Sequence, residues 1–142
     1  MKFDIPFSDR LASSIERKES RLVVGIDPRL DRLPAELASL DPEEALTRLG
    51  CGVIEAVAAE AAAIKPQIAF FERWGWKGWR ALEAVCKSAS EQKLLVILDA
   101  KRGDIGSTAA AYAEALLGEE AGTPGPFVDA LTINPYLGSD SL

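Results

Sequence analysis

The sequence has 142 residues, of which 48% are hydrophobic and 27% are charged, and its net charge at neutral pH is −6. This is the composition of a globular protein, and the length suits one domain over residues 1–142. The negative charge disfavours nucleic acid or an anionic membrane surface as a partner. Because no stretch is long enough to span a membrane and the start lacks an apolar leader, we predict a cytoplasmic protein.

Histidine is absent from the sequence, and its only cysteines are Cys51 and Cys86, both within predicted helices. The sequence therefore contains no His-based catalytic triad and no His metal site. Two isolated cysteines form neither a disulfide framework nor a metal cluster, so we expect both to pack as small apolar side chains.

The first predicted elements are a helix and a strand. The helix covers Phe7–Lys18, with Ser8 as its N-cap. The apolar centre of Arg21–Ile26 predicts a buried strand that ends at Asp27, because the proline after this residue stops the strand ladder. Pro34–Ser39 predicts a short turn of helix.

The second long helix has a strong start, because Asp41 is followed by a proline and two glutamates. Its apolar spacing continues to near Ala63. A short strand over Ala62–Pro66 follows and carries Lys65 close to its tip. A lysine on a buried strand needs a counter-charge. For Lys65 alone, however, the simpler interpretation is a side chain whose apolar stem packs on the protein while its ammonium group reaches solvent at the strand end.

Three tryptophans follow a predicted loop over Gln67–Phe71 and crowd the start of a helix that runs to about Gln92. Trp74, Trp76 and Trp79 could stack on a base. The apolar face that continues along this helix makes the core or a subunit contact the better interpretation.

The stretch Leu94–Ala113 carries the clearest indication of a functional site. It starts as an apolar run, which predicts a strand buried on both faces. Asp99, Lys101 and Asp104 follow this run, and a helix covers Ser107–Leu117. Ligands bind at the carboxyl ends of strands in α/β sheets and barrels, although the Asp-x-Lys-x-x-Asp pattern alone fits a solvated salt bridge equally well.

The spacing of these charges predicts a shared face. Asp99 and Lys101 are two residues apart on a strand, so both point to one side while Ala100 packs toward a helix. Asp99 is the natural counter-charge for Lys65 if their strands are neighbours. With Asp104, these residues would form an alternating line of two ammonium groups and two carboxylates. Nearby carboxylates favour the ammonium form of Lys101, which a general acid requires.

A fourth strand is predicted over Val128–Ile133, after a loop over residues 118–126. Thr132 and Asn134 share a face at its carboxyl end, and Tyr136–Leu142 begins a loop or helix. Strands that alternate with helices in this way predict parallel pairing with right-handed crossovers.

The candidate polar residues all follow strand ends, which favours a (β/α) barrel with its active face at that end. A complete barrel has about 250 residues. We therefore predict an α/β fold that forms the amino-terminal half of a (β/α)8 TIM barrel, with about four parallel strands. The sequence has no glycine-rich phosphate cradle, and the phosphate-binding loops after strands seven and eight would belong to the other half.

Four short motifs occur in the order found in one enzyme family. They are Gly25-Ile26-Asp27-Pro28-Arg29, Ile64-Lys65-Pro66-Gln67, Asp99-x-Lys101-x-x-Asp104 and Asn134-Pro135-Tyr136-Leu137-Gly138. On these residues the chain resembles the orotidine 5'-phosphate decarboxylase family, and most closely its longer bacterial subgroup. The resemblance runs from about Phe7 to the last residue, and the shared order makes it more specific than any single motif.

The resemblance implies a lyase of pyrimidine biosynthesis that converts orotidine 5'-phosphate to uridine 5'-phosphate and carbon dioxide without a cofactor or metal. It implies that Lys101 delivers a proton to the ring carbon and that Asp99 faces the substrate carboxylate. Lys65 would hold Asp99 and the ribose in place, and Asp27 would contact the ribose.

The resemblance also implies a homodimer with a shared site. Asp104 and Thr108 would reach the ribose of the nucleotide bound by a neighbouring subunit. Gln67, Thr132 and Asn134 are weaker candidates for contacts to the ribose or base.

Two alternatives stay open. A phosphosugar decarboxylase of the same superfamily could place the Asp-x-Lys-x-x-Asp residues around Mg²⁺, which prefers oxygen ligands, and its activity would be sensitive to EDTA. Alternatively, the 142 residues alone are a truncated fragment without catalytic activity that needs the other half of the barrel.

Overall fold

The computed structural model describes residues 5–118 and 128–139. In these ranges strands and helices alternate along the chain, as the sequence predicts. The helices are α1 (Phe7–Lys18), α2 (Pro42–Val57), α3 (Ala69–Glu72), α4 (Gly75–Glu91) and α5 (Gly106–Leu117), with a 3₁₀ turn over Leu30–Arg32. The strands are β1 (Val23–Ile26), β2 (Ala63–Pro66), β3 (Leu95–Arg102) and β4 (Ala130–Ile133).

The four strands form one parallel sheet in the order β1-β2-β3-β4. β1 and β2 pair in register from Val23 with Ala63 to Ile26 with Pro66. Because each strand neighbours the next one along the chain and helices connect them, the carboxyl ends of all four strands meet at one edge of the sheet. The predicted parallel α/β architecture is confirmed.

The hydrophobic core lies between this sheet and the helices that cover it. Its largest fully buried side chains include Leu46, Ile54, Phe71, Leu82 and Leu98. α2 and α4 approach closely at Gly50, where a Cβ atom would lie 2.4 Å from Cγ2 of Val85. Cys86 is buried in this core as predicted, whereas Cys51 is half-buried.

Helix α1 is anchored to the amino-terminal ends of the strands. The buried hydroxyl of Ser14 donates to the carbonyl of Ala62, at 2.9 Å, where the chain enters β2. Arg10 forms an ion pair with Asp129, just before β4. The second carboxylate oxygen of Asp129 accepts from the backbone N–H of Val96, at 2.7 Å. These contacts join the first helix to the last strand.

The predicted N-cap of α1 is wrong. Ser8 lies inside the first turn, and its hydroxyl contacts the carboxylate of Asp9 at 3.2 Å. The helix covers Phe7–Lys18, as predicted, and its first turn forms at Phe7 because the carbonyl of Pro6 accepts from the backbone N–H groups of Asp9 and Arg10. Pro6 therefore occupies the N-cap position, without a side-chain cap.

The predicted cap of α2 is confirmed, because the Asp41 carboxylate accepts from the backbone two residues later at 3.1 Å. The helix ends at Val57, earlier than predicted, since the backbone of Ala62 pairs instead with the carbonyl of Leu22. Residues 35–39 form consecutive turns rather than a turn of helix.

The strands also differ in detail from the prediction. β1 is not fully buried, and Val23 is 42% exposed, because this strand lies at the edge of the sheet. β3 continues beyond the apolar run to Arg102, which still pairs with Ile133 after a register shift. β4 starts at Ala130, two residues later than predicted.

The predicted connections have different outcomes. The loop over Gln67–Phe71 contains the short helix α3, which buries Phe71. Most of the predicted loop over residues 118–126, and the last three residues of the chain, lie outside the described residues. None of the helices in the described ranges combines the length and hydropathy needed to cross a membrane.

The three tryptophans do not form one cluster in the core. Trp74 packs against the core, as predicted. Trp76 is 64% exposed, so a core position is wrong for this residue. Its ring lies 5.6 Å from the guanidinium of Arg80 and 6.0 Å from the ammonium of Lys77. A subunit contact at this surface stays a prediction.

We predict that the isolated chain self-associates, because in the described part of the chain β1 and β4 each have an outer edge without a strand partner. Sedimentation velocity measures the size of the species formed. Val23→Lys places a charge at an exposed position of β1 and should shift the distribution toward smaller species. A monodisperse, cooperatively unfolding monomer of the unmodified chain would contradict the prediction.

Candidate active site

The carboxyl ends of β2, β3 and β4 converge on the carboxylate of Asp99. Its Oδ2 atom lies 2.9 Å from the ammonium nitrogen of Lys65, on β2. The same oxygen accepts from the side-chain amide of Gln67, at 3.0 Å. The predicted pairing of Lys65 with Asp99 across neighbouring strands is therefore present in the structure.

The second oxygen of Asp99 is also occupied. Oδ1 accepts from the ammonium of Lys101 and from the hydroxyl of Thr132, at 3.0 Å. Asp99 is only 9% exposed, and a buried carboxylate is costly unless it is paired and hydrogen-bonded. Four donors meet this requirement: three lie on β2, β3 and β4, and the fourth, Gln67, directly follows β2.

These donors lower the pKa of Asp99 far below its usual range. The hydrogen bond from Lys101 is the largest cause, followed by the hydrogen bond from Lys65, whereas burial acts in the opposite direction. Asp99 therefore stays ionised and presents a permanent negative charge between two ammonium groups.

Lys101 has an unusual backbone conformation. Its φ angle is +49°, in the left-handed region that residues with a side chain rarely adopt. The hydroxyl of Thr132 accepts from the backbone N–H groups of Ala100 and Lys101, both at 3.0 Å. This hydroxyl thereby uses its one donor, to Asp99, and both of its acceptor positions.

Asn134 holds the same turn from the end of β4. Its side-chain amide donates to the carbonyl of Lys101 at 3.0 Å, and its backbone N–H donates to the carbonyl of Arg102 at 2.7 Å. A Cβ atom at position 103 would lie 2.9 Å from the carbonyl oxygen of Asn134, so this approach requires Gly103. The loop after β4 and the turn at Lys101 thus form one unit.

The structure does not bring every predicted residue into this array. The carboxylate of Asp104 accepts from the backbone N–H of Ile105 at 2.8 Å. Within the described residues, Asp104 forms no ion pair with Lys65 or Lys101. Of the predicted line of four charges, one chain therefore brings together only three, those of Lys65, Asp99 and Lys101. Asp27 is exposed beyond β1, and Thr108 is exposed in the first turn of α5.

Sequence reasoning missed the role of Arg102 and Glu72. Arg102 follows Lys101 and points to the opposite face of β3, where its guanidinium forms an ion pair with Glu72 of α3. The sequence does contain an indication of this pair. Arg102 directly follows Lys101 on a strand, so it is expected on the opposite, helix-covered face, where a charged side chain needs a counter-charge.

A cavity of about 400 Å³ lies on this outer face, between α5 and the end of the sheet. Its lining includes Arg102, Tyr112, Leu131 and Ile133, and it excludes the array around Asp99. Strand alternation explains the separation, because Leu131 and Ile133 flank Thr132 and point away from it.

Among residues 5–118 and 128–139, no group of three or more His, Cys, Asp or Glu side chains has the arrangement needed to hold a metal ion. Both oxygens of Asp99 already contact ammonium groups. Those two positive charges would repel a divalent cation placed on the same carboxylate.

Comparison with known proteins adds a family relationship. Residues 20–142 match the profile of the Orotidine 5'-phosphate decarboxylase / HUMPS family. The orotidine 5'-phosphate decarboxylase of Rhodopirellula baltica is 44% identical over an alignment of 144 positions, and the alignment covers 96% of this chain and 48% of the relative. That of Streptomyces coelicolor is 47% identical over 137 residues, with the same coverage.

A solved structure shows the same relationship. Leishmania donovani OMP decarboxylase has a TM-score of 0.78 and 38% identity, and the match covers 97% of this chain and 48% of that one. The chain thus spans about half the length of the curated relatives it matches. Its four strands correspond to about half of a TIM barrel, as predicted.

We predict that Asp99 remains ionised at acidic pH. Because its pKa is lower in the folded than in the unfolded chain, its ion pairs contribute fully to stability above about pH 4, the usual aspartate value. This contribution is lost as the pH falls from there toward the lowered pKa. The carboxyl ¹³C shift of Asp99 should therefore not yet titrate near pH 4, and a midpoint at or above that value would contradict the prediction.

A second prediction concerns the hydroxyl of Thr132. Thr132→Val keeps the side-chain shape but leaves two N–H groups and one carboxylate oxygen without this partner. We expect it to lower the free energy of unfolding by about 1–3 kcal/mol. Thr132→Ser keeps the hydroxyl and is the matched control. Urea unfolding measures both, and a valine variant as stable as the serine variant would argue against the role of the hydroxyl.

Proposed function

This chain belongs to the Orotidine 5'-phosphate decarboxylase / HUMPS family, and we propose that it supplies the proton-transfer half of an orotidine 5'-phosphate decarboxylase site. The observation that carries this proposal is the array of Lys65, Asp99 and Lys101 at the carboxyl ends of parallel strands. The names of the relatives supply the substrate, orotidine 5'-phosphate. The enzyme would act as a lyase without a cofactor.

In the proposed reaction the bond between the pyrimidine ring and its carboxylate breaks, and carbon dioxide leaves. The electron pair stays on the ring carbon, which takes a proton from the ammonium of Lys101. This ammonium is held in place before the reaction, so it also stabilises the negative charge that develops on the ring.

Asp99 has two parts in this proposal. Its permanent charge keeps the ammonium groups of Lys65 and Lys101 at fixed positions. It would also face the substrate carboxylate, and the repulsion between the two anions would be relieved as carbon dioxide departs. The strongly lowered pKa supports both parts, because a neutral Asp99 would do neither.

The other site residues divide by their contacts. The side chain of Lys65 is 37% exposed and Asp27 is exposed at the end of β1, so both are available to the ribose. Gln67, Thr132 and Asn134 already donate hydrogen bonds to Asp99 or to the turn at Lys101. We propose that these three mainly position the charged residues, and that any contact of Gln67 or Asn134 with the base or ribose is additional.

We further propose a homodimer in which Asp104 and Thr108 reach the nucleotide bound by the partner. Asp104 lies outside the array of its own chain, and Thr108 is exposed at the start of α5. Both are therefore free to face a second subunit. As an enzyme of pyrimidine biosynthesis, the protein would act in the cytoplasm.

Catalysis would also require a second half-barrel. The chain spans about half the length of its relatives, and barrel enzymes commonly bind phosphate with the loops after strands seven and eight. We propose that these 142 residues alone are inactive and that the remaining strands supply the phosphate site.

The proposal predicts that Lys101 is essential. The chain is mixed with the carboxyl-terminal half of the Streptomyces coelicolor relative, and release of uridine 5'-phosphate is measured with EDTA present. Lys101→Ala should lower the rate about a hundredfold to ten-thousandfold, the usual contribution of a general acid.

Lys77→Ala is the matched control, since Lys77 pairs with Asp41 on the outer surface and should leave the rate within about twofold. If the Lys101→Ala variant retained a rate within about tenfold of the unmodified chain, the role of Lys101 as general acid would be refuted. Activity that EDTA abolishes would instead favour a magnesium-dependent phosphosugar decarboxylase, and no activity in the mixture would contradict the proposed half-site.

A further inference from the structure

We propose that Arg102 and Glu72 form a clamp on the outer face of the sheet that positions Lys101 on the inner face. Any effect of this clamp on catalysis rests on the function proposed above, whereas its effect on the position of Lys101 does not. Neither residue contacts the array around Asp99, so their effect would be transmitted through the backbone of β3.

The clamp is built from three contacts of one guanidinium. Arg102 forms an ion pair with Glu72, and its Nη1 atom donates to the carbonyl of Ala100 at 3.0 Å. The ring centre of Tyr112, on α5, lies 5.6 Å away, within range of a cation–π contact. The side chains of Arg102 and Glu72 are 21% and 35% exposed. The guanidinium thus joins α3, β3 and α5.

The hydrogen bond to Ala100 is the step that involves Lys101. Arg102 reaches back across two residues, so its side chain and the backbone enclose Lys101 in a closed ring. Lys101 is the residue with a φ angle of +49°, which an ordinary strand would not retain without support. The clamp supports this conformation from the outer face, while Thr132 and Asn134 support it from the inner face and the following loop.

Glu72 provides a fixed point for the clamp. It ends α3, whose Phe71 is fully buried in the core. The chain just before α3 is tied to β3 as well, because the backbone N–H of Ile68 donates to the carbonyl of Asp99 at 3.2 Å. The carboxylate of Glu72 therefore has a defined position relative to the strand that carries Lys101.

The opposing interpretation is an ordinary surface ion pair with little effect on its surroundings. The two interpretations make different predictions for the contact between Lys101 and Asp99. If the clamp sets the turn, its removal loosens the contact of Lys101 with Asp99 and makes the Lys101 side chain more accessible to a reagent in solution. Lys65 contacts the same carboxylate from β2 and would keep its position.

The test measures the acylation rate of each lysine with a small amine-reactive ester, followed by mass spectrometry of the chain. It needs neither substrate nor catalysis, so its outcome is independent of the decarboxylase proposal. In Arg102→Met we expect acylation of Lys101 to rise about threefold to fivefold. Lys65 and the distant Lys77 should change less than about twofold.

Glu72→Gln is the second variant, since it retains the shape of the side chain and removes only the charge. It should raise acylation of Lys101 in the same direction, and the double variant should exceed Arg102→Met by little, because both changes break one clamp. Equal increases at all three lysines would indicate general loosening and overturn the proposal. An unchanged rate at Lys101 in both variants would overturn it too.

Discussion

The arrangement of the site depends on the neutralisation of one buried carboxylate. Asp99 is held by donors from three parallel strands, and two of these donors are ammonium groups. Breaking a buried ion pair costs more than a surface pair contributes, because an unpaired charge remains in a low-dielectric environment. The contacts that stabilise the carboxyl ends of these strands are therefore the same contacts that would place a proton donor beside a substrate. A substitution that changes the stability of this region would therefore also change the position of the proton donor.

Much of this arrangement follows from topology and was predictable from the sequence. Apolar runs separated by helices require parallel strands, and parallel neighbours place their carboxyl ends at one edge. Lys65 stands near such an end and Asp99 follows the apolar run of β3, so their meeting required only that β2 and β3 be neighbours. Spacing of two along one strand likewise placed Lys101 beside Asp99.

The remaining features depend on interactions that local periodicity does not encode. The left-handed turn at Lys101 coincides with a register shift between β3 and β4, which is a property of the pair of strands. Thr132 was a candidate for substrate contact, yet all of its hydrogen-bonding capacity lies within the protein. Asp104 was placed in the charged line by spacing alone, and the turn beyond β3 directs its carboxylate to the backbone of Ile105 instead.

The ion pair between Arg10 and Asp129 has a consequence for folding. The two residues are 119 positions apart in a chain of 142, and they join the first helix to the last strand. Such a contact closes a very long loop, and the conformational entropy of this loop must be lost before the contact can stabilise the folded state. On the ribosome, helix α1 can therefore form this contact only after Asp129 has been synthesised.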